Sequence, residues 1–305
     1  MEGLDGVLLV DKPEGPTSHD VVAIARRALQ VRRIGHAGTL DPLATGLLVL
    51  MIGRATRLAS LLSGVDKTYR GVLRLGMATD TYDRDGTPLG PPREVSVDRA
   101  TLLEAVARFR GTVPQVPPAF SAKKVHGTPM YRLARRRRPV APVAIPVTFR
   151  RLEVLGFRTE EVEVEAEVSA GTYLRSFAHD LGAALGCGAH LHSLRRTAAG
   201  PFHVEEAITP GELQELGARA TSRVLPMEEI PLGLPTLVLN AAGLHAIRHG
   251  RPCGLGEVVT PRPPLAPGRC RLKGPEGTLV GIGEVLLPAA PEARSVIRPQ
   301  IVFGA

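Results

Sequence analysis

Hydrophobic and polar positions recur with two different periods along the 305 residues, and each pattern predicts an element. Gly6 to Val10 is a short apolar run of the kind that forms a buried strand. Ser18 stands ahead of a helical pattern from about His19 to Leu29, whose inner face is Val21, Val22, Ala25, Ala28 and Leu29. The run Leu47 to Ile52 predicts a second strand, and Arg54 to Leu62 a helix. Lys67 to Leu75 alternates, with Tyr69, Gly71, Leu73 and Leu75 on one face and Thr68, Arg70, Val72 and Arg74 on the other. Ser96 precedes a helical pattern from about Val97 to Phe109, closed by Gly111. The clearest strand is Glu161 to Val168, where Val162, Val164, Ala166 and Val168 alternate with glutamates. A helix begins near Thr172 and runs to about Leu185, ended by Gly186.

Strands among helices without a regular βαβ repeat predict an α+β fold with a mixed, mainly antiparallel sheet flanked by helices. The texture changes near residue 230, where Ile230 to Pro235 reads as a linker. Beyond it come a helical piece, Ala241 to His249, and brief apolar runs at Glu257 to Thr260, Cys270 to Leu272, Leu279 to Val285 and Val296 to Phe303. These predict a small C-terminal β-barrel. The expected division is residues 1–229 and 230–305.

Composition narrows the setting. No run approaches the roughly 18–20 apolar residues that span a bilayer. The start, Met1 to Asp5, lacks the layout of a signal peptide. Cys187, Cys253 and Cys270 are widely spaced and imply no disulfide framework, so a cytoplasmic setting is expected. Charge matters more for its place than for its sum. From Lys123 to Arg150 there are eight Lys and Arg residues and no Asp or Glu, which equals the whole formal charge of +8. A localised cationic stretch fits a polyanion. Pro139, Pro142 and Pro146 argue against a long helix beyond Arg138, so the stretch reads as a basic excursion from a folded core.

Several chemistries have no signature here: there is no Walker-type loop, GxGxxG after a strand, HExxH or GxSxG. Cys187, His190 and His192 match no standard zinc spacing. Asp41 remains, in a turn bounded by Gly35 and Gly46 that runs directly into the apolar Leu47 to Ile52. A carboxylate entering an apolar region is costly unless it is paired or used. Arg175, two residues after Tyr173 at a strand-to-helix junction, is a candidate partner that would hold Asp41 ionised and oriented. Tyr69 supplies a second ring, and isolated rings suit a base taken out of its stack. A glycosidase would want a second carboxylate. Asp80, Asp83 and Asp85 offer one, but Thr79 to Gly86 reads as an exposed acidic turn.

Ordered motifs then give a resemblance. Leu9-Val10-Asp11-Lys12-Pro13-x-Gly15, Gly35-His36 through Leu48, Lys67-Thr68-Tyr69-Arg70, Leu75-Gly76 through Asp85-Gly86, Gly171 through Ser176, and Gly188-Ala189-His190-Leu191 through Leu194-Arg195-Arg196 follow one another. Together they resemble the bacterial tRNA pseudouridine-55 synthases of the TruB type, from about residue 5 to 225 and less sharply beyond. The resemblance implies a pseudouridine synthase core and a C-terminal module that is PUA-like. It implies isomerisation of a T-loop uridine to pseudouridine by base flipping, with no cofactor and no metal. Asp41 matches the catalytic carboxylate, Arg175 its ion-pair partner and Tyr69 the ring that stacks on the flipped uracil. Tyr173 and Leu194 match residues lining the base pocket, and His36 the side chain that fills the space left by the flipped nucleotide. Lys12 and Pro13 match a structural motif beside the site.

The family's T-arm clamp falls at about 118–146, where Lys123, Lys124, Arg132, Arg135, Arg136, Arg137 and Arg138 are the expected RNA contacts. Ala37 departs from a Thr common among relatives, at a position outside the chemistry. The expected partner is the T-arm of tRNA, bound by a monomer with no membrane and no obligatory protein partner. The competing readings are a non-catalytic tRNA-binding or tRNA-folding protein and a guide-RNA-dependent synthase. A binding protein needs no carboxylate facing RNA phosphates. The basic insertion, without long Lys-rich tails, favours a stand-alone enzyme over a guide-dependent one.

Overall fold

The computed structural model describes residues 3–119, 143–259, 266–287 and 295–304, and the backbone alone at 124–125 and 128–129. Strand β1 (Gly6–Lys12), helix α1 (Ser18–Leu29), β2 (Ile34–His36), β3 (Ala44–Ile52), α2 (Ala59–Ser63) and β4 (Lys67–Leu75) come first. Then follow α3 (Arg99–Ala107), β5 (Gly111–Gln115) and two short strands, β6 (Lys124–Val125) and β7 (Thr128–Pro129). Next are β8 (Ile145–Arg158), β9 (Glu161–Val168), α4 (Leu174–Ala184), β10 (Ala189–Ala199), β11 (Phe202–His203), α5 (Pro210–Leu216) and β12 (Leu225–Pro226). The last part holds β13 (Thr236–Val238), α6 (Ala241–Arg248), β14 (Cys253–Gly254), β15 (Gly268–Lys273), β16 (Leu279–Leu286) and β17 (Val296–Val302).

The main sheet has ten strands in the order β12-β1-β3-β10-β4-β9-β8-β5, with β2 on β3 and β11 on β10. Its pairs are antiparallel except β3 with β10, so the mixed, mainly antiparallel α+β expectation holds. The continuous apolar run of β3 has a physical cause: both of its faces are covered. Leu48, Leu50 and Ile52 pack with Val21, Val22 and Ala25 of α1. Leu47, Val49 and Met51 pack on the other side with Leu58, Phe202 and, from the C-terminal part, Leu279, Ile282 and Phe303. A third cluster joins α3 and α4 to β4, β8 and β9 through Leu102, Phe149, Val164, Phe177 and Leu181.

Some boundaries move for local reasons. Helix α1 is capped by Thr17, not Ser18: Thr17 Oγ1 accepts from the Asp20 amide while the Asp20 carboxylate accepts from the Thr17 amide. Ser18 is instead the first helical residue, and its hydroxyl faces the core. Helix α3 is capped by Asp98, not Ser96, through the Thr101 amide at 2.7 Å. Segment Arg54 to Leu62 divides into a 3-10 turn, Gly53–Leu58, and α2.

The second sheet has five strands in the order β13-β15-β16-β17-β14. Among the described residues its end strands β13 and β14 do not pair, so it is an open half-barrel where a closed barrel was expected. Helix α6 packs on this sheet, with Ile247 buried in a cluster with Leu237, Leu272, Val280 and Ile297. Ile230 to Pro235, read as a linker, buries Ile230 fully and packs Leu232 and Leu234 on the cluster shared with β3. No helix among the described residues is long and apolar enough to cross a membrane.

Candidate active site

Asp41 lies in the loop between β2 and β3, and that loop is held from one side by the segment between β1 and α1. The Ser18 hydroxyl accepts from the Leu40 amide at 2.8 Å and donates to the Leu40 carbonyl at 3.1 Å. The Lys12 side chain is fully buried, and its ammonium donates to the carbonyls of Pro13 (2.8 Å), Pro16 (2.8 Å) and Pro42 (3.2 Å). Burial lowers the Lys12 pKa to about 8, although the nearby Asp41 charge pulls it back up. The Gly15 amide adds a bond to the Pro42 carbonyl at 2.9 Å. Lys12 is therefore a brace for the loop, as a structural motif requires. At Gly46, where φ is +97°, a Cβ would meet the Arg196 carbonyl oxygen at 2.2 Å. Only glycine allows β3 to approach β10 this closely, immediately after the loop.

Arg175 is the second residue of α4, and its side chain is 5% exposed against 38% for Asp41. Its Nε lies 3.0 Å from an Asp41 carboxylate oxygen. Its Nη1 lies 3.4 Å from Asp83 and donates to the Thr81 carbonyl at 3.1 Å. One buried guanidinium thus holds two carboxylates and a carbonyl, which fixes its plane and, through it, Asp41. This corrects the reading of Thr79 to Gly86 as an exposed acidic turn. Asp80 and Asp85 are exposed, but Thr79 and Asp83 are buried. The Asp83 carboxylate accepts from Thr81 Oγ1 at 2.6 Å and from the Asp85 amide at 3.2 Å. Burial raises its pKa, with the Thr81 hydrogen bond and Arg175 opposing.

Asp41 opens on a cavity of about 230 Å³, a size suited to one planar base. Tyr69, Tyr173 and Leu194 form its walls together with Arg175. Register explains the meeting: on β4 and β10, Tyr69 faces Arg196 and Gly71 faces Leu194. The structure therefore gathers Asp41, Tyr69, Tyr173, Arg175 and Leu194. His36 stands at the end of β2, half-buried and outside the cavity wall, and burial lowers its pKa, with the Gly38 backbone opposing. Lys123, Arg132, Arg135, Arg136, Arg137 and Arg138 lie outside the described residues, as does the Lys124 side chain. Arg150, at the end of the cationic run, pairs with Asp66. Cys187, His190 and His192 make no metal cluster among the described residues, and the His190 Nδ1 sits 2.8 Å from the Met77 carbonyl oxygen.

Sequence reasoning set Asp83 aside with its turn and gave no role to Lys67 or Arg196. The last two line the same cavity with buried cations. Lys67 donates to the Ser63 carbonyl at 2.5 Å and the Val65 carbonyl at 2.6 Å. Burial, aided by Arg196, lowers its pKa to about 8. Arg196 donates to the Leu47 carbonyl at 2.7 Å and the Gly38 carbonyl at 3.1 Å. The parity of Lys67 with Tyr69, Leu73 and Leu75 was an available signal that it points inward.

Comparison with known proteins is decisive. The profile of the TruB family pseudouridylate synthase N-terminal domain matches residues 26–174, and that of the tRNA pseudouridylate synthase B C-terminal domain matches 175–230. A protein named tRNA pseudouridine synthase B from Solibacter usitatus is 42% identical over 93% of this chain and 97% of its own. The chain belongs to the TruB family. A relative of the same name from Aromatoleum aromaticum is 41% identical over 92% of this chain and 89% of its own. Among solved structures, an H/ACA RNP bound to a substrate RNA containing 2′-deoxyuridine matches with a TM-score of 0.75 and 25% identity. It covers 99% of this chain and 86% of that one. A Cbf5-Nop10-Gar1 complex matches with a TM-score of 0.75 and 26% identity, over 98% and 85%. The likeness of this TruB chain to both structures extends across the two sheets.

Proposed function

We propose that the chain isomerises the uridine at position 55 of the tRNA T-loop to pseudouridine, with Asp41 as the catalytic carboxylate. The observation that carries this is the Arg175 guanidinium, which pairs with Asp41 at 3.0 Å and orients it toward a cavity sized for one base. The flipped uracil stacks on Tyr69, with Tyr173 and Leu194 closing its other sides. The bond between N1 and C1′ breaks, the uracil turns, and C5 joins C1′ while the C5 proton leaves and N1 regains one. Nothing is oxidised or reduced, so the reaction calls for no cofactor. Asp83 sets the position of Arg175 and does not touch the substrate.

Around that centre, His36 fills the gap in the opened T-loop. Lys123, Lys124, Arg132, Arg135, Arg136, Arg137 and Arg138 clamp the T-arm phosphates. Residues 230–305 serve as a PUA-like module that holds the RNA. The chain works as a cytoplasmic monomer and without guide RNA, the latter supported by relatives named tRNA pseudouridine synthase B that it matches over nearly their whole length.

The test is one purified protein and one unmodified tRNA transcript, with pseudouridine mapped by mass spectrometry. Wild type should convert the T-loop uridine and Asp41→Ala should not. A transcript that stays unmodified with wild type, yet refolds faster in its presence, would favour the tRNA-folding reading instead.

A further inference from the structure

The loop Thr79 to Gly86 delivers two of the groups that hold Arg175, yet the ring pair that anchors it does not line the cavity. Tyr82, between Thr81 and Asp83, adopts φ of +65°, a left-handed conformation that bulky residues rarely occupy. The backbone turns there, so that the Thr81 carbonyl and the Asp83 carboxylate both reach Nη1 of Arg175. Something must hold an aromatic residue in that state. The Tyr82 ring stacks on His179, with centroids 3.9 Å apart and planes 16° from parallel. His179 lies on α4 four residues after Arg175, hence one turn along the same face. Its Nδ1 is buried with no hydrogen-bond partner among the described residues, so stacking is the visible constraint on that ring. The backbone completes the fastening. The Leu191 amide donates to the Tyr82 carbonyl and the Arg84 amide to the Leu191 carbonyl, each at 3.0 Å.

We propose that Tyr82 and His179 are positioning residues: their stacked rings clasp the Asp83 loop to α4 and thereby set where Arg175 holds Asp41. The inference rests on the reaction proposed above for its catalytic consequence, but not for the clasp itself. Neither ring reaches the cavity wall, so the pair acts only through Asp83, Thr81 and Arg175. Burial and the neighbouring Asp180 push the Tyr82 hydroxyl pKa upward.

The experiment compares wild type, His179→Ala and His179→Phe, each alone and with Asp83→Ala. Single-turnover pseudouridylation, tRNA affinity and amide exchange at Arg84 are measured for every variant. His179→Ala should slow the single turnover roughly ten-fold or more, since small misplacements of a positioned group are costly. Its tRNA affinity should stay within about two-fold, because a transition-state contact is lost and not a binding one. His179→Phe should restore the rate by restoring a flat ring. With Asp83 already removed, His179→Ala should add nothing further. Tyr82→Gly, which tolerates the positive φ but lacks the ring, should repeat the loss if His179→Ala fails to fold. A wild-type rate in His179→Ala, or an equal slowing in both backgrounds, would overturn the proposal. Amide exchange separates this failure from that of the reaction. If wild type modifies no tRNA, the reaction is wrong, and the clasp then stands or falls on faster Arg84 exchange in His179→Ala reversed by His179→Phe.

Discussion

Nε of Arg175 and a carboxylate oxygen of Asp41 lie 3.0 Å apart, with the arginine buried and the aspartate half open to the cavity. The cation is a fixed part of the fold, and the anion is the part offered to a substrate. Arg175→Lys should therefore keep tRNA binding but lower the single-turnover rate by roughly a hundred-fold, because one ammonium cannot hold Asp41, Asp83 and the Thr81 carbonyl in one plane. Filter binding and quench-flow measurements on one transcript check both halves. Equal losses in affinity and rate would make Arg175 an RNA contact instead.

Asp83 gives a dependence on pH. Its pKa is raised by burial, so its contribution to stability is fully present below the unfolded value and is lost as pH rises through the folded one. Wild type should compare best with Asp83→Asn in acid, and the balance should swing toward the variant as pH approaches neutrality. Urea denaturation at about pH 4.5 and pH 7.5 measures this swing. Turnover should move the opposite way, since a neutral amide is a weaker partner for Arg175. An Asn variant equally active at neutral pH would remove Asp83 from the positioning role.

The brace beneath the loop predicts a loss of stability tied to a loss of rate. Ser18→Ala leaves the Leu40 amide and carbonyl without their shared partner and should cost about 1–3 kcal/mol. Lys12→Met strands the Pro13 and Pro16 carbonyls, leaves Pro42 with the Gly15 amide alone, and should cost more. Both should also slow turnover, because the Pro42 carbonyl and Leu40 flank Asp41. Thermal melts and rates on the same preparations decide this, and a stability loss without a rate loss would mean that the loop keeps its shape unaided.

The cationic segment is tested through salt. Replacing Arg135, Arg136, Arg137 and Arg138 with Gln should weaken tRNA binding and flatten the plot of log affinity against log salt. Each lost phosphate contact should reduce that slope by about 0.7–0.9. An unchanged slope would mean that the segment does not touch the RNA.

The parts legible in the sequence were those set by local pattern. The alternation of Lys67 to Leu75 and of Glu161 to Val168 fixed two central strands and the face on which Tyr69 sits. Asp41 was conspicuous because a charged turn ran into β3. What stayed hidden depends on groups far apart in the chain. Asp83 looks like its neighbours Asp80 and Asp85 until Arg175, ninety-two residues later, arrives beside it. Lys67 and Arg196 drew no role from sequence because long basic side chains are usually solvated, and carbonyls from other segments let them stay buried. The short C-terminal runs announced strands but not closure. Closure depends on which edges meet, and among the described residues β13 and β14 do not.

Leu279, Ile282 and Phe303 of the C-terminal part share one packed core with Leu47 and Met51, whose strand begins three residues after Asp41. Tight packing transmits displacement instead of absorbing it. Any RNA held by the second sheet is thus gauged against the carboxylate as if by a rigid caliper with one fixed opening. If residues 230–305 hold RNA as proposed, a mismatch between that grip and Asp41 falls on the RNA, which must bend, and not on the shared core.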